Sequence, residues 1–312
     1  MSKETELTSE DLSKQRQSFI RARKLSVSYL AYSMSTPALV LIMLVLIFPV
    51  LAVFGLSFTD WLFGAKHLNF IGIKNYAQML GDRVFWKSLS NTLIYVGTVV
   101  PGSFIIGLVV AILIQSSTSL RGFYRAVYFL PVVASLLAMA IVWEILLHPT
   151  VGLLNLFLKN IGITGRDWLN ESSTVLMALA GIGIWQMSGF SMVLFLSGLV
   201  GIPIELYEAA EIDGADSAWD RFRTVTWPML GPVSLFVLVI SAIRSSQVFD
   251  TVKVLTRGGP NKASEVLLHT MYTEGFAFMR SGYGSAITMV FLVFILGIAL
   301  AQMKLLEKRT HY

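Results

Sequence analysis

Apolar runs alternate with polar stretches of unequal length along the 312 residues of the chain. The apolar runs cover about 35–56, 91–114, 124–147, 175–200, 229–249 and 286–303. Each can cross roughly 30 Å of hydrocarbon at the helical rise of about 1.5 Å per residue. The pattern predicts an all-α membrane protein with six transmembrane helices over 31–312, preceded by a polar tail at 1–30.

The chain is organised around one polar interruption, the loop 201–228 between the fourth and fifth spans. Pro203 suits the first turn of a helix, where its missing N–H is not needed, and Gly214 suits the left-handed position that ends one. A short helix over about Ile204 to Asp213 follows. Ser217 and Asp220 then read as a capping box opening a second short helix to about Trp227, with Pro228 opening the next element.

Charge sets the expected orientation. Acids (Glu4, Glu6, Glu10, Asp11) and then bases (Lys14, Arg16, Arg21, Arg23, Lys24) precede the first span, and Lys304, Lys308 and Arg309 follow the last. Basic residues abutting a span hold its end in the cytoplasm, so both termini are expected there. About thirty polar residues before the first apolar run argue against a cleaved signal peptide. The loop 201–228 would then be cytoplasmic, although it carries Glu205, Glu208, Glu211, Asp213, Asp216 and Asp220 against Arg221 and Arg223. Acids weigh little in topology. Two readings of them stay open: a solvated loop, or an acidic rim around the apolar patch Leu206, Ala209 and Ala210, which fits a groove on a basic partner. On the outer side, Asn75 to Trp86 mixes aromatics and charges as an interfacial helix would, and Arg257-Gly258-Gly259-Pro260-Asn261 signals a turn.

Composition agrees with a polytopic membrane protein. Hydrophobic residues make up 55% and charged residues 14%, against about 25% charged in soluble domains. With no cysteine, and with histidines not at metal-ligand spacing, the chain has neither a disulfide framework nor a recognisable metal site. The net charge of +5 is explained by flanks that orient spans, so no nucleic-acid partner is expected. No Gly-x-x-x-x-Gly-Lys-Ser/Thr occurs, so ATP phosphates have no cradle in this chain.

Glu208-Ala209-Ala210, three residues, Gly214 and a later proline resemble the signature loop of permease subunits of binding-protein-dependent ABC importers. Asn75-Tyr76 through Phe85-Trp86 to Asn91-Thr92, Trp143 through Gly152 to Asn155, and Thr256 to Pro260 resemble the carbohydrate uptake group, of maltose and glycerol-phosphate type. The resemblance implies the ABC type I importer permease fold, a bacterial inner-membrane location, and no catalysis by the chain itself. It also implies partners: a second homologous permease forming a heterodimer, two cytoplasmic ATPase subunits that bind ATP and Mg, an extracytoplasmic solute-binding protein, and membrane lipid. Leu206, Glu208, Ala209, Ala210, Asp213 and Gly214 would form a coupling helix docked on an ATPase subunit. One residue more than the family pattern separates Gly214 from Val225, and Trp227 stands where leucine is usual. The second short helix is therefore expected to be rotated or bulged.

Polar side chains inside spans are costly, and they suggest either a pathway or a polar pair between helices. Trp185, Gln186, Met187 and Ser188 form one cluster; Arg244, Ser245, Ser246 and Gln247 with Asp250 form another. Arg244, Gln247 and Val248 are spaced to share a helical face, with Asp250 one turn beyond Gln247. By the resemblance, Gln186, Met187, Ser245 and Gln247 or Val248 match positions lining a sugar site. Amide and hydroxyl groups suit a neutral sugar. Arg244 suits an anionic solute such as a phosphorylated polyol or a uronate oligomer, or else pairs internally with Asp250. The rival outside this family is an ion-coupled secondary transporter.

Overall fold

A computed structural model describes residues 32–117 and 119–307; the tail at 1–30 and the basic residues Lys308 and Arg309 lie outside them. The described residues are mostly helical, with one isolated antiparallel bridge, Thr59 to Phe70, and no strand. The chain divides into two compact units at Gly55 and Leu56. The first described helix, α1 (Tyr32–Leu56), carries one π-helical turn at Met43–Ile47 and buries none of its most apolar stretch.

The second unit begins with α2 (Lys74–Gly81) and α3 (Arg83–Ser116). Asn75 to Trp86 is thus not one interfacial helix. Asp82 leaves helical geometry (φ −83°, ψ 112°), and its side chain accepts from Val84 N at 2.8 Å, capping α3. The run at 124–147 is likewise broken, into α4 (Arg121–Val133) and α5 (Leu136–Leu146), bent by 102°. Pro131 removes a backbone donor near the end of α4, and Ala134 and Ser135 take extended ψ values of 145° and 124°.

After α6 (Leu153–Asn160) comes α7 (Val175–Val200), the most buried of the long helices. Its pairing with α3 is the most extensive in the unit. Glycine makes that closeness possible: a Cβ on Gly107 would collide with Ser191 Cβ and come 3.0 Å from Met192 N. Then follow α8 (Ile204–Ile212) and α9 (Ala218–Met229), the latter with a π-helical turn over Phe222–Thr226. Pro228 sits inside α9 and does not open the next element. The chain bends by 67° into α10 (Gly231–Ser246), where Gly231 and Pro232 take up the opening turn.

α10 ends at Ser246; Gln247 (φ −90°, ψ 18°) leaves the helix, and the chain turns again at Val252–Thr256. The placement of Arg244, Gln247, Val248 and Asp250 along one continuous helix is therefore corrected. The break is confined to Gln247, Val248 and Phe249: helical geometry resumes at Asp250 and Thr251, where Lys253 N bonds Phe249 O at 2.8 Å. After α11 (Leu267–Tyr272), α12 (Ser281–Glu307) closes the described chain. Among the described residues four helices are long and apolar enough to span a membrane, or up to six if each bent pair is one span.

Candidate functional site

Two places gather the residues singled out above. The first is the elbow formed by α8 and α9. Pro203, with ψ 137°, stands just outside α8 as its N-cap, one position earlier than expected. At the other end Gly214 adopts φ +93°. Its N–H bonds Glu211 O at 3.1 Å and that of Ala215 bonds Ala210 O at 2.9 Å, the paired reverse bonds that satisfy a helix's last carbonyls. Ser217 Oγ accepts from Asp220 N at 3.1 Å and opens α9.

The π-helical turn at Phe222–Thr226 fits one extra residue into a helix of ordinary length, so the second short helix is bulged. Tyr207 Oη lies 3.0 Å from Thr226 Oγ1 and joins α8 to that turn. Arg221 and Glu211, 3.9 Å apart, add an exposed pair worth about 0–1 kcal/mol at most. Leu206, Ala209, Ala210, Asp213 and Gly214 line a cleft of about 450 Å³, facing Asp220, Thr224 and Val225 of α9. Glu208 is exposed and is not among the cleft residues.

Trp227 is 46% exposed but keeps aromatic contacts on one side. Its ring lies 6.1 Å from Phe222 and 6.5 Å from Phe104 of α3, whose ring is 5.0 Å from Phe195 of α7. The elbow is thus joined through aromatic contacts to the two most closely packed long helices.

The second place is a cavity of about 110 Å³ on those same helices. Tyr95 and Val99 of α3, Gly183, Gln186 and Met187 of α7, Arg244 and Ser245 of α10, and the segment Gln247 to Thr251 line it. Of the two expected pathway clusters, Trp185 and Ser246 do not line it, and neither does Ser188. That residue is 8% exposed, and its hydroxyl bonds Trp185 O within its own helix at 2.9 Å. Among the described residues no ion pair joins Arg244 to Asp250. The Arg244 guanidinium instead lies 4.2 Å from the ring centre of Phe190. Ser245 Oγ is buried and has no hydrogen-bond partner among the described residues.

Tyr95, Phe190 and Phe249 were not anticipated. An aromatic inside an apolar run carries no polar signal, although Gly183 offered a hint: a Cβ there would collide with the Tyr95 hydroxyl.

Residues 103–312 match the family described as binding-protein-dependent transport system inner membrane component. The chain is 35% identical to a "Probable ABC transporter permease protein" of Pyrococcus horikoshii over 85% of its length and 91% of the relative's. It is 32% identical to the trehalose/maltose transport system permease protein of Thermococcus litoralis, covering 88% and 92% of the two chains. The fold resembles a chain of a bacterial ABC transporter that imports the acidic polysaccharide alginate. The TM-score is 0.80 at 22% identity, covering 93% of this chain and 99% of that one.

Proposed function

The chain belongs to the inner membrane components of binding-protein-dependent transport systems, and on that footing we propose that it forms half the solute path of an ATP-driven sugar importer. In this reading α8 is a cytoplasmic coupling helix seated on one of two ATPase subunits, which bind ATP and Mg. An extracytoplasmic solute-binding protein delivers the solute, and a second homologous permease completes a heterodimer in the bacterial inner membrane. Both termini are cytoplasmic.

The observation that carries the reading is the contact route from Tyr207 through Thr226, Trp227 and Phe104 to Phe195. It ends on α3 and α7, which also carry Tyr95, Val99, Gln186 and Met187 of the cavity. From Phe104 to Tyr95 is about 13 Å along α3 at the helical rise per residue. A shift of α8 therefore reaches the cavity through packed side chains. For a near-complete switch between inward and outward forms, ATP must favour one form by about 5.5 kcal/mol.

A cavity of about 110 Å³ is well below the roughly 300–1,000 Å³ of small-molecule sites. That suits half a site, completed by the second permease. Gln186, Gln247, the unpartnered Ser245 hydroxyl and the ring of Tyr95 suit a saccharide, which needs hydrogen bonds at its edges and stacking on its faces. Arg244, exposed and without a carboxylate partner among the described residues, favours a second reading in which the solute is a phosphorylated polyol or a uronate oligomer.

The test is uptake by the assembled complex in proteoliposomes, offered neutral disaccharides to pentasaccharides and uronate oligomers of the same lengths. Uptake is expected to need internal ATP and to survive an uncoupler. Ion-coupled secondary transport would give uptake that persists without the ATPase subunits and collapses with the uncoupler. Arg244→Gln is expected to remove uptake of uronates if they are carried, and to spare neutral sugars.

A further inference from the structure

The turn at Arg257 to Asn261 follows the cavity-lining segment and precedes α11. It is wrapped around a buried carboxylate. Glu265 is 1% exposed; its Oε1 accepts from His269 Nδ1 at 2.6 Å and Thr270 Oγ1 at 3.0 Å, and its Oε2 pairs with Lys262 Nζ at 3.1 Å. Burial pushes this carboxyl up, but the hydrogen bonds and electrostatic attraction of His269 and Lys262 outweigh it and hold the group below its ordinary value.

The backbone is shaped to this group. Arg257, Gly258, Asn261 and Lys262 all have positive φ, between 49° and 81°. A Cβ on Gly258 would collide with Glu265 Oε2. Three non-glycine residues in that region persist only where the surroundings over-determine them. Those surroundings include α3: Asn91 donates to Lys262 O at 3.1 Å and to Glu265 O at 2.8 Å, and Thr92 Oγ1 accepts from Leu267 N at 2.9 Å.

On its other side the cluster meets the cavity wall. The His269 ring lies 6.1 Å from that of Phe249, a cavity residue. Val252, Ala263 and Val266 share one apolar core with Tyr95 and Val99, against which Met187 and Val248 pack. The segment Gln247 to Phe249 lies beyond the end of α10, tied to it by Gln247 N to Arg244 O at 3.1 Å and Val248 N to Ser245 O at 3.3 Å, and its side-chain contacts complete its support.

We propose that Glu265 is a positioning residue for the solute cavity. By holding Lys262, His269 and Thr270 together, it makes the Arg257–Lys262 turn and the break after α10 one piece, so that the turn's position sets that of Gln247 and its neighbours. Three donors converge on the carboxylate, and a glutamine amide would turn N–H groups toward either Lys262 or His269. Lys262, whose side chain is 48% exposed, is the outer end of the piece. Calling the cavity a solute path rests on the function proposed above.

The cysteine-free chain provides the test. Single reporters Gln247→Cys, in the cavity wall, and Asp216→Cys, between α8 and α9, are labelled with a maleimide in the assembled complex. Glu265→Gln is expected to change the labelling rate at 247 by roughly threefold or more and to leave that at 216 unaltered. Lys262→Met, at the half-exposed end, is expected to act in the same direction and more weakly. For the saccharide that the unaltered complex carries, KM is expected to rise with kcat within about twofold, a split characteristic of lost ground-state positioning.

An unchanged rate at 247 in both variants would overturn the proposal. So would a parallel change at both reporters with loss of the assembled complex, since Glu265 would then only stabilise the fold. A change confined to 247 in a complex that moves no saccharide would support the positioning role and remove the sugar reading instead.

Discussion

The elbow and the cavity are built in opposite ways. The elbow is mostly exposed, and its two helix ends are shaped by bonds between residues close in sequence: Gly214 to Glu211, Ala215 to Ala210, Ser217 to Asp220. The cavity is assembled from distant segments, with Tyr95, Gly183 and Ser245 brought to one wall and Asn91 bonded to residues 171 and 174 positions away. In the function proposed, the elbow docks a partner and has to keep its form while its surroundings move, which local bonding provides. The cavity, as the proposed solute site, has to change when helices shift, and side chains on separate helices can register that.

The contrast is open to graded tests. The largest effect is expected where separate helices touch. Gly107→Val drives a branched side chain into Ser191 and the backbone of α7, and overpacking of this kind costs about 1–3 kcal/mol. A clearly lowered melting temperature of the purified chain in detergent checks it. Gly214→Ala meets no atom within 4 Å but must hold φ +93°, a left-handed geometry costing roughly 1–2 kcal/mol. Here solute-stimulated ATPase is expected to fall while the melting temperature of the spans barely changes. A large drop in melting temperature would show that the elbow is not locally built.

Tyr207→Phe removes the bond to Thr226, worth about 0.5–1.5 kcal/mol, and is expected to reduce ATPase stimulation about two- to tenfold. Unchanged stimulation would shift the load to Trp227. The smallest effect belongs to the exposed pair of Arg221 and Glu211. Arg221→Gln is expected to stay within about 0.5 kcal/mol of wild type by thermal melting.

Legibility in the sequence follows the same division. Pro203, Gly214 and the Ser217 cap act over three or four residues, so their positions could be read directly, to within one residue at Pro203. Gln186, Ser245 and Gln247 were visible because a polar group in an apolar run stands out. Ser188 stood out equally, but its hydroxyl is spent on its own helix. Tyr95 and Phe190 were hidden among other apolar residues. Glu265 was hidden for the reverse reason, since an acid in a polar loop reads as solvated until Lys262, His269 and Thr270 are found around it. The bends at Pro131 and at Gly231–Pro232 were missed because proline in a membrane span can also sit in a helix that continues, as Pro101 does in α3.

The central claim is that motion at the elbow sets the cavity. It is tested by maleimide labelling of Gln247→Cys in the assembled complex, with and without ATP, on an unaltered elbow and on one carrying Leu206→Asp, which puts a charge on the apolar patch of α8 without touching the cavity. ATP is expected to change the labelling rate with the unaltered elbow and to leave it unchanged with Leu206→Asp. An equal ATP-dependent change in both, in complexes that still hold their ATPase subunits, would contradict it.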